Sequence, residues 1–234
     1  MFVMDVRYFE ITELQAQTLI DHQVELSMVF YPFLPMDKTH AHVIVVRHAL
    51  HLSAQEQSLQ MWQLAHFLSA KYLDCSEQTI VLGRLDSGKP YIQSNNNKML
   101  HLSMSHTAGF YACAFALNRA IGIDIESLHR LVRAESLAAR YFSPQEAAII
   151  AGANLHEQKL IFFRYWTLKE AVIKAQGLSL LSYPLSHWQF LLGPWVLQHA
   201  ICTMTHPLDI QMDLLWQMQH REYVLSLAVL AATA

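Results

Sequence analysis

The sequence predicts an α+β fold made of two similar α/β halves, residues 1–119 and 120–234, and three observations carry this expectation. A helix-start signature, Ser53-Ala54-Gln55-Glu56, returns as Ser143-Pro144-Gln145-Glu146. Each copy leads into helical sequence and later into an apolar strand, Phe110–Leu117 in the first case and Tyr223–Leu230 in the second. With 53% hydrophobic residues, the 234-residue chain can bury a core in one large domain or two small ones. Two unrelated helices with similar caps would also give the first observation; the shared helix-then-strand order is what favours duplication. The join falls near Asn118 to Ala120 with no long Gly/Ser linker, so the halves are expected to pack closely, with a ligand cleft between them.

Taken in order, the first half opens with a β-rich stretch at His42 to Val46. Ser53 followed by Glu56 has the pattern of a capping box, in which the serine and the third helical residue satisfy each other's free amides, and the helix it starts reaches about Tyr72. Gly83 to Lys89 matches a phosphate-binding P-loop for seven residues, but Pro90 replaces the metal-binding Ser or Thr and Tyr91-Ile92 reads as β. The segment is therefore predicted to turn at Ser87-Gly88 and to run on extended from Pro90, which aims Lys89 in a defined direction; a plain surface turn has the same local signals. In His101 to His106, alternation puts Ser103 and Ser105 on one face, with His106 at the strand end. Neighbouring serine and histidine on a strand point apart and no Gly-x-Ser-x-Gly elbow is present, so ligand contact fits better than a nucleophilic serine.

The second half opens on Ile121-Gly122-Ile123-Asp124-Ile125-Glu126, which alternates strictly. Asp124 and Glu126 then stand side by side on the face away from the isoleucines. Their repulsion in a low-dielectric cleft is relieved by a hard divalent cation; on an edge strand with a wet acidic face it needs no such relief. Further on, Phe162 to Gln176 has helical periodicity and stops at Gly177, a typical C-terminal signal. Trp166, Glu170 and Lys174 recur at intervals of four, so they share one face. An ordinary surface Glu-Lys pair has this spacing too, but the tryptophan on the same stripe points to a half-buried face. Asp124, Glu126 and Glu170 are thus candidate oxygen ligands for Mg²⁺, with Lys174 one turn beyond as a cation for phosphate.

The rest of the composition narrows the setting. A net charge of −3, with seven lysines, nine arginines and no basic block, argues against broad nucleic-acid binding. Cys75, Cys113 and Cys202 are odd in number, widely spaced and set among apolar neighbours, which predicts buried free thiols. His40, His42, His48 and His51 lack a zinc spacing and read as surface histidines of a strand or loop. Asp5, Arg7 and Glu10 interrupt any apolar leader, and no apolar run reaches membrane-spanning length, so a cytoplasmic protein is expected.

The ordered set GKP (Gly88 to Pro90), LSMSH (Leu102 to His106), GIDIE (Gly122 to Glu126), YFSPQE (Tyr141 to Glu146) and WTLKEAVIKAQG (Trp166 to Gly177) resembles the 4'-phosphopantetheinyl transferase superfamily, in particular its long single-chain, Sfp-type branch. The resemblance runs from about Gly83 to Leu180. It implies pseudo-twofold related halves with coenzyme A and Mg²⁺ bound between them. It also implies Mg²⁺-dependent transfer of the 4'-phosphopantetheine arm to a serine of an apo acyl carrier protein or a peptidyl or aryl carrier domain, releasing adenosine 3',5'-bisphosphate. By the same resemblance Asp124, Glu126 and Glu170 are metal ligands, Glu170 is also the base for the carrier serine, and Lys174 serves the leaving phosphate. Lys89, Pro90, Ser105, His106 and Lys169 become coenzyme A contacts together with Asp124 and Lys174, while Trp166 is chiefly structural. A monomer is expected, because both halves lie in one chain.

One departure stands out. Family members carry basic residues on the first helix, whereas Gln55 to Ala70 has no Lys or Arg and offers His66 where an arginine is expected. Arg47, Lys71 and Arg84 are the candidate substitutes. Two other readings remain beside the transferase: a different Mg²⁺-dependent phosphoester enzyme such as a nuclease, which would need basic and aromatic residues interleaved in a patch, and a non-catalytic protein that binds a carrier or coenzyme A.

Overall fold

The computed structural model describes residues 5–12, 15–17, 39–48, 53–95, 97–178, 184–192, 199–201, 203–205 and 212–231. Residues 5–117 contribute β1 (Asp5–Thr12), β2 (His40–Arg47), α1 (Ala54–Leu73), β3 (Ile80–Arg84), β4 (Pro90–Ser94), β5 (Leu100–Thr107) and β6 (Phe110–Leu117). Residues 121–230 contribute β7 (Ile121–Ser127), α2 (Ala134–Tyr141), α3 (Pro144–Gly152), α4 (Leu155–Gln176), β8 (Gln189–Leu191), β9 (His199–Ile201), β10 (Thr203–Thr205), β11 (Met212–Gln219) and β12 (Tyr223–Leu230). The architecture is mixed α+β.

Two four-stranded sheets form the frame. One runs β1-β2-β6-β5, parallel between β1 and β2 and antiparallel elsewhere; the other runs β7-β12-β11-β9 and is antiparallel throughout. In each, a strand (β2 or β7) is followed by helix and then by a hairpin (β5–β6 or β11–β12) whose second strand returns beside the first.

Alternation within β6 shows why the sheets stack. Tyr111, Cys113, Phe115 and Leu117 face α1, where they pack with Leu64, Leu68 and Leu73. The intervening Ala112, Ala114 and Ala116 face the second sheet. Small residues there admit Ile121, Ile123 and Ile125 of β7 and Leu225, Leu227 and Val229 of β12, so the two sheets share one apolar layer. On the far side of the second sheet, Val224 and Ala228 pack against α4 through Leu168, Ala171, Val172 and Ala175.

Both capping boxes form. Ser53 and Ser143 each accept from the amide three residues on, and Glu56 and Glu146 return to the cap amides. Helix α1 matches its expected span. Helix α4 begins at Leu155, earlier than the periodicity from Phe162 predicts, because Asn154 caps it by accepting from Glu157 N. It ends as expected at Gly177, whose φ of 73° suits glycine. Gly88, at φ 84°, makes the β3–β4 turn.

One expectation needs correction. His42 and His48 are buried, not surface residues: alternation along β2 turns His42 inward beside the Tyr72 hydroxyl at 3.1 Å, and His48 stacks on Tyr111. Strand β7 is buried along its whole length, which removes the competing reading of Asp124 and Glu126 as a wet acidic edge. Cys113 is a buried free thiol and Cys75 a partly buried one, while Cys202 and His51 lie outside the described residues. No helix among the described residues is long and apolar enough to cross a membrane.

Candidate active site

Strand β7 meets α4 without a side chain between them at Gly122. A Cβ there would run into the Ala171 carbonyl oxygen and the Ala175 amide nitrogen, so glycine is what lets the helix lie against the strand. Two residues on, the same face presents Asp124, and α4 presents Glu170 and Lys174 to it. Lys174 Nζ donates to Asp124 Oδ1 at 2.8 Å and to Ser105 Oγ at 3.1 Å, and Ser105 Oγ donates to the same Oδ1 at 2.7 Å. The other oxygen, Asp124 Oδ2, is buried without a hydrogen-bond partner.

Glu126 takes a cation of its own. Arg130 Nη1 donates to Glu126 Oε1 at 2.5 Å, and Thr107 Oγ1 approaches Oε2 at 3.4 Å. Burial, with Asp124 adding, raises the Glu126 carboxyl above its usual range, and Arg130 opposes this. Glu170 is pushed up to about 7, first by burial and then by the charge of Asp124, with Lys174 opposing and Glu126 adding. The three carboxylates thus feel one another as charges. They are not drawn tightly around one point, for among the described residues no three His, Cys, Asp or Glu side chains are grouped to hold a metal ion. Two observations nevertheless fit a divalent cation: the unpartnered Oδ2, and carboxyls that burial and mutual repulsion keep from ionising at their ordinary pH.

A cavity of about 240 Å³ opens beside this cluster, between the β3–β4 hairpin and α4; Arg84, Lys89, Pro90, Glu170 and Lys174 line it. Lys89 Nζ donates to the Ala175 carbonyl at 2.6 Å, which ties the hairpin to the end of α4, and burial lowers the pKa of this amine. Arg84 stacks its guanidinium 4.6 Å from the Trp62 ring centroid of α1 and donates to Gly88 O at 2.9 Å. On the other side of the acidic pair, a second cavity of about 450 Å³ is lined by His106, Thr107, Glu126, His129 and Arg130 among others. His106 has its pKa lowered by burial and by Lys174.

The structure therefore brings together Asp124, Glu126, Glu170, Lys174 and Ser105, with Lys89, Pro90 and His106 at the cavity walls. Lys169 is not among them. It is fully buried on another face of α4, with its ammonium 2.8 Å from Glu146 Oε2 and donating to the carbonyls of Leu185 and Trp188. The i to i+5 step from Lys169 to Lys174 turns one inward to α3 and the other to the cavity. Trp166 stacks on Phe162 and lies in an aromatic group with Tyr141 and Phe142. Of the substitutes for first-helix cations, Arg84 lines the cavity; Arg47 is engaged with Glu222 at 2.5 Å, and Lys71 lies over Phe67. His66 turns to Glu77 and the Ile80 carbonyl instead.

Two contributors were missed by sequence reasoning. Arg130 reaches Glu126 from the turn that follows β7, an approach that no periodicity in the sequence signals. Thr107 continues the alternation of Ser103 and Ser105 by one further step.

Comparison with known proteins points to one family. A family model described as the 4'-phosphopantetheinyl transferase superfamily matches residues 120–228, which hold the three carboxylates and α4. The chain is 42% identical to the 4'-phosphopantetheinyl transferase HetI of Nostoc sp. over 33% of each chain. It is 35% identical to the 4'-phosphopantetheinyl transferase Sfp of Bacillus subtilis over 42% of this chain and 41% of that one. A 4'-phosphopantetheinyl transferase of Bacillus pumilus is 28% identical over 76% of this chain and 72% of its own. Outside that last match, the chain spans between a third and half of the length of such curated relatives.

Proposed function

From the match of residues 120–228 to the 4'-phosphopantetheinyl transferase superfamily, we propose that the chain belongs to that superfamily, nearer its longer Sfp-type branch, and that it transfers the 4'-phosphopantetheine arm of coenzyme A to a serine hydroxyl of an apo carrier protein. The carrier is an acyl carrier protein or a peptidyl or aryl carrier domain. The observation that carries this reading is the meeting of Asp124, Glu170 and Lys174 at the wall of a cavity that also holds Arg84 and Lys89. A phosphate-rich ligand is matched there by three cations, with an acidic cluster at one end.

In this reading the serine oxygen forms a bond to the phosphorus that carries pantetheine, and the bond from that phosphorus to the bridging oxygen breaks, releasing adenosine 3',5'-bisphosphate. Glu170, which lines the cavity beside Lys174, takes the serine proton. Lys174 faces the leaving phosphate and offsets its charge. Lys89, Pro90 and Arg84 hold the nucleotide end, Arg84 serving in place of the cations absent from α1, and His106 stands at the rim of the cluster. Asp124, Glu126 and Glu170 would hold Mg²⁺, which supplies charge neutralisation at the pyrophosphate when bound. Lys169 is left out of the cofactor contacts.

We also propose that the two halves are pseudo-twofold related, with residues 1–119 bearing coenzyme A contacts and residues 120–234 the acidic ligands and α4. The shared strand, helix and hairpin order of β2-β6-β5 and β7-β12-β11 supports this. With both walls of the cleft in one chain, a monomer suffices. The free thiols of Cys75 and Cys113 suit a reducing compartment such as the cytoplasm.

The test is intact-mass measurement of several apo carriers after incubation with the protein, coenzyme A and Mg²⁺. A metal-dependent pantetheinyl mass increase is expected, reduced at least about 100-fold in rate by Asp124→Ala. Failure to modify acyl, peptidyl and aryl carriers alike, or an Asp124→Ala rate equal to wild type, would sink the reading.

A further inference from the structure

Among the described residues strand β7 lies at the edge of its sheet, which runs β7-β12-β11-β9, so one side of it has no partner strand within the sheet there. That side lies along β5 of the other sheet, and a row of hydroxyls closes the gap. Alternation puts Ser103, Ser105 and Thr107 on one face of β5. Ser103 Oγ accepts from Ile123 N at 3.0 Å and Thr107 Oγ1 accepts from Ser127 N at 3.1 Å. These outer two satisfy main-chain donors that the missing strand would otherwise take. The middle one handles a side chain instead.

Ser105 is 7% exposed, and its single proton goes to Asp124 Oδ1 while its oxygen accepts from Lys174. Lys174 donates to that same Oδ1, so this oxygen is occupied by two donors from within the protein. The partnerless Oδ2 is then the oxygen left for a ligand. We infer that Ser105 is a positioning residue that sets the rotation of the Asp124 carboxylate and presents Oδ2. The inference rests on the transferase reading, but its test does not depend on carrier modification.

The experiment uses the full chain with Mn²⁺ as a hard divalent probe, its binding followed by electron paramagnetic resonance, and calorimetry of coenzyme A binding in chelator. Ser105→Ala should bind Mn²⁺ about tenfold more weakly, in line with the loss of a hydrogen bond behind a metal ligand, whatever its effect on coenzyme A. Ser105→Thr, which keeps the hydroxyl, should restore Mn²⁺ binding. Ser103→Ala should lower the melting temperature and leave Mn²⁺ binding as in wild type. Should Ser105→Ala not fold, Ser105→Cys, similar in size but a weaker donor, should show the same weakening. Unchanged Mn²⁺ binding with weakened coenzyme A binding would overturn the inference and return Ser105 to the coenzyme. A wild-type chain that takes up no Mn²⁺ would overturn it together with the metal part of the transferase reading, whereas wild-type uptake matched by Ser105→Ala overturns the positioning role alone.

Discussion

Lys169 and Lys174 lie on one helix, each 2.8 Å from a carboxylate, yet they do different work. Lys169 has no exposed surface, and its partner Glu146 also closes the capping box of α3, accepting from Ser143 N and Phe190 N as well. Burial depresses the Lys169 pKa to about 8 despite that carboxylate. Lys174 is partly exposed at a cavity wall, and Asp124 beside it keeps one oxygen free. A pair whose every acceptor and donor is satisfied internally joins elements together. A pair with an oxygen to spare, facing a cavity, is equipped to meet a ligand.

The largest effect expected from this contrast comes from Glu146→Gln, which leaves a buried ammonium without its counter-charge. We expect a loss of about 3–5 kcal/mol in urea unfolding, with the transfer rate per folded molecule retained. Lys174→Ala should do the reverse: unfolding free energy within about 1 kcal/mol of wild type, and holo-carrier formation slower by roughly 100-fold in a mass-based rate assay. A Lys174→Ala chain that transfers normally would remove the distinction between the two lysines.

The smallest effect concerns pH. Glu170 is lifted from 4.5 to about 7, so the folded chain keeps a proton that the unfolded chain has already released. The stability this confers is full below about pH 4.5 and is lost as pH rises through 7. In chelator, Glu170→Gln should therefore melt close to wild type at pH 4.5 and several degrees higher at pH 8. A lower melting temperature at pH 8 would show that the ionised Glu170 is well compensated in the protein.

Much of this was legible in the sequence where a local rule governs the outcome. Period-two alternation placed Gly122, Asp124 and Glu126 together opposite the isoleucines, and the serine-to-glutamate spacing identified both capped helices. The turn at Ser87-Gly88 and the stop at Gly177 follow from residues that tolerate positive φ. What was not legible depends on which distant element a side chain meets. Lys169 sits in the same motif as Glu170, and only the docking of α3 and of Leu185 and Trp188 shows that it points inward. His42 looked like one of a surface cluster until Tyr72 of α1 covered it. The Ser105 hydroxyl could be read as a ligand contact because nothing local says that β7 runs alongside β5.

The close approach at Gly122 has a mechanical consequence. With the α4 backbone resting directly on β7, the strand bearing Asp124 and Glu126 and the helix bearing Glu170 and Lys174 form one stiff block. The opposite wall of the cavity is a two-stranded hairpin, tied to that block by the hydrogen bond from Lys89 to the Ala175 carbonyl. Breathing of the cleft therefore belongs to the hairpin, and amide exchange should be fast there and slow along β7 and the middle of α4.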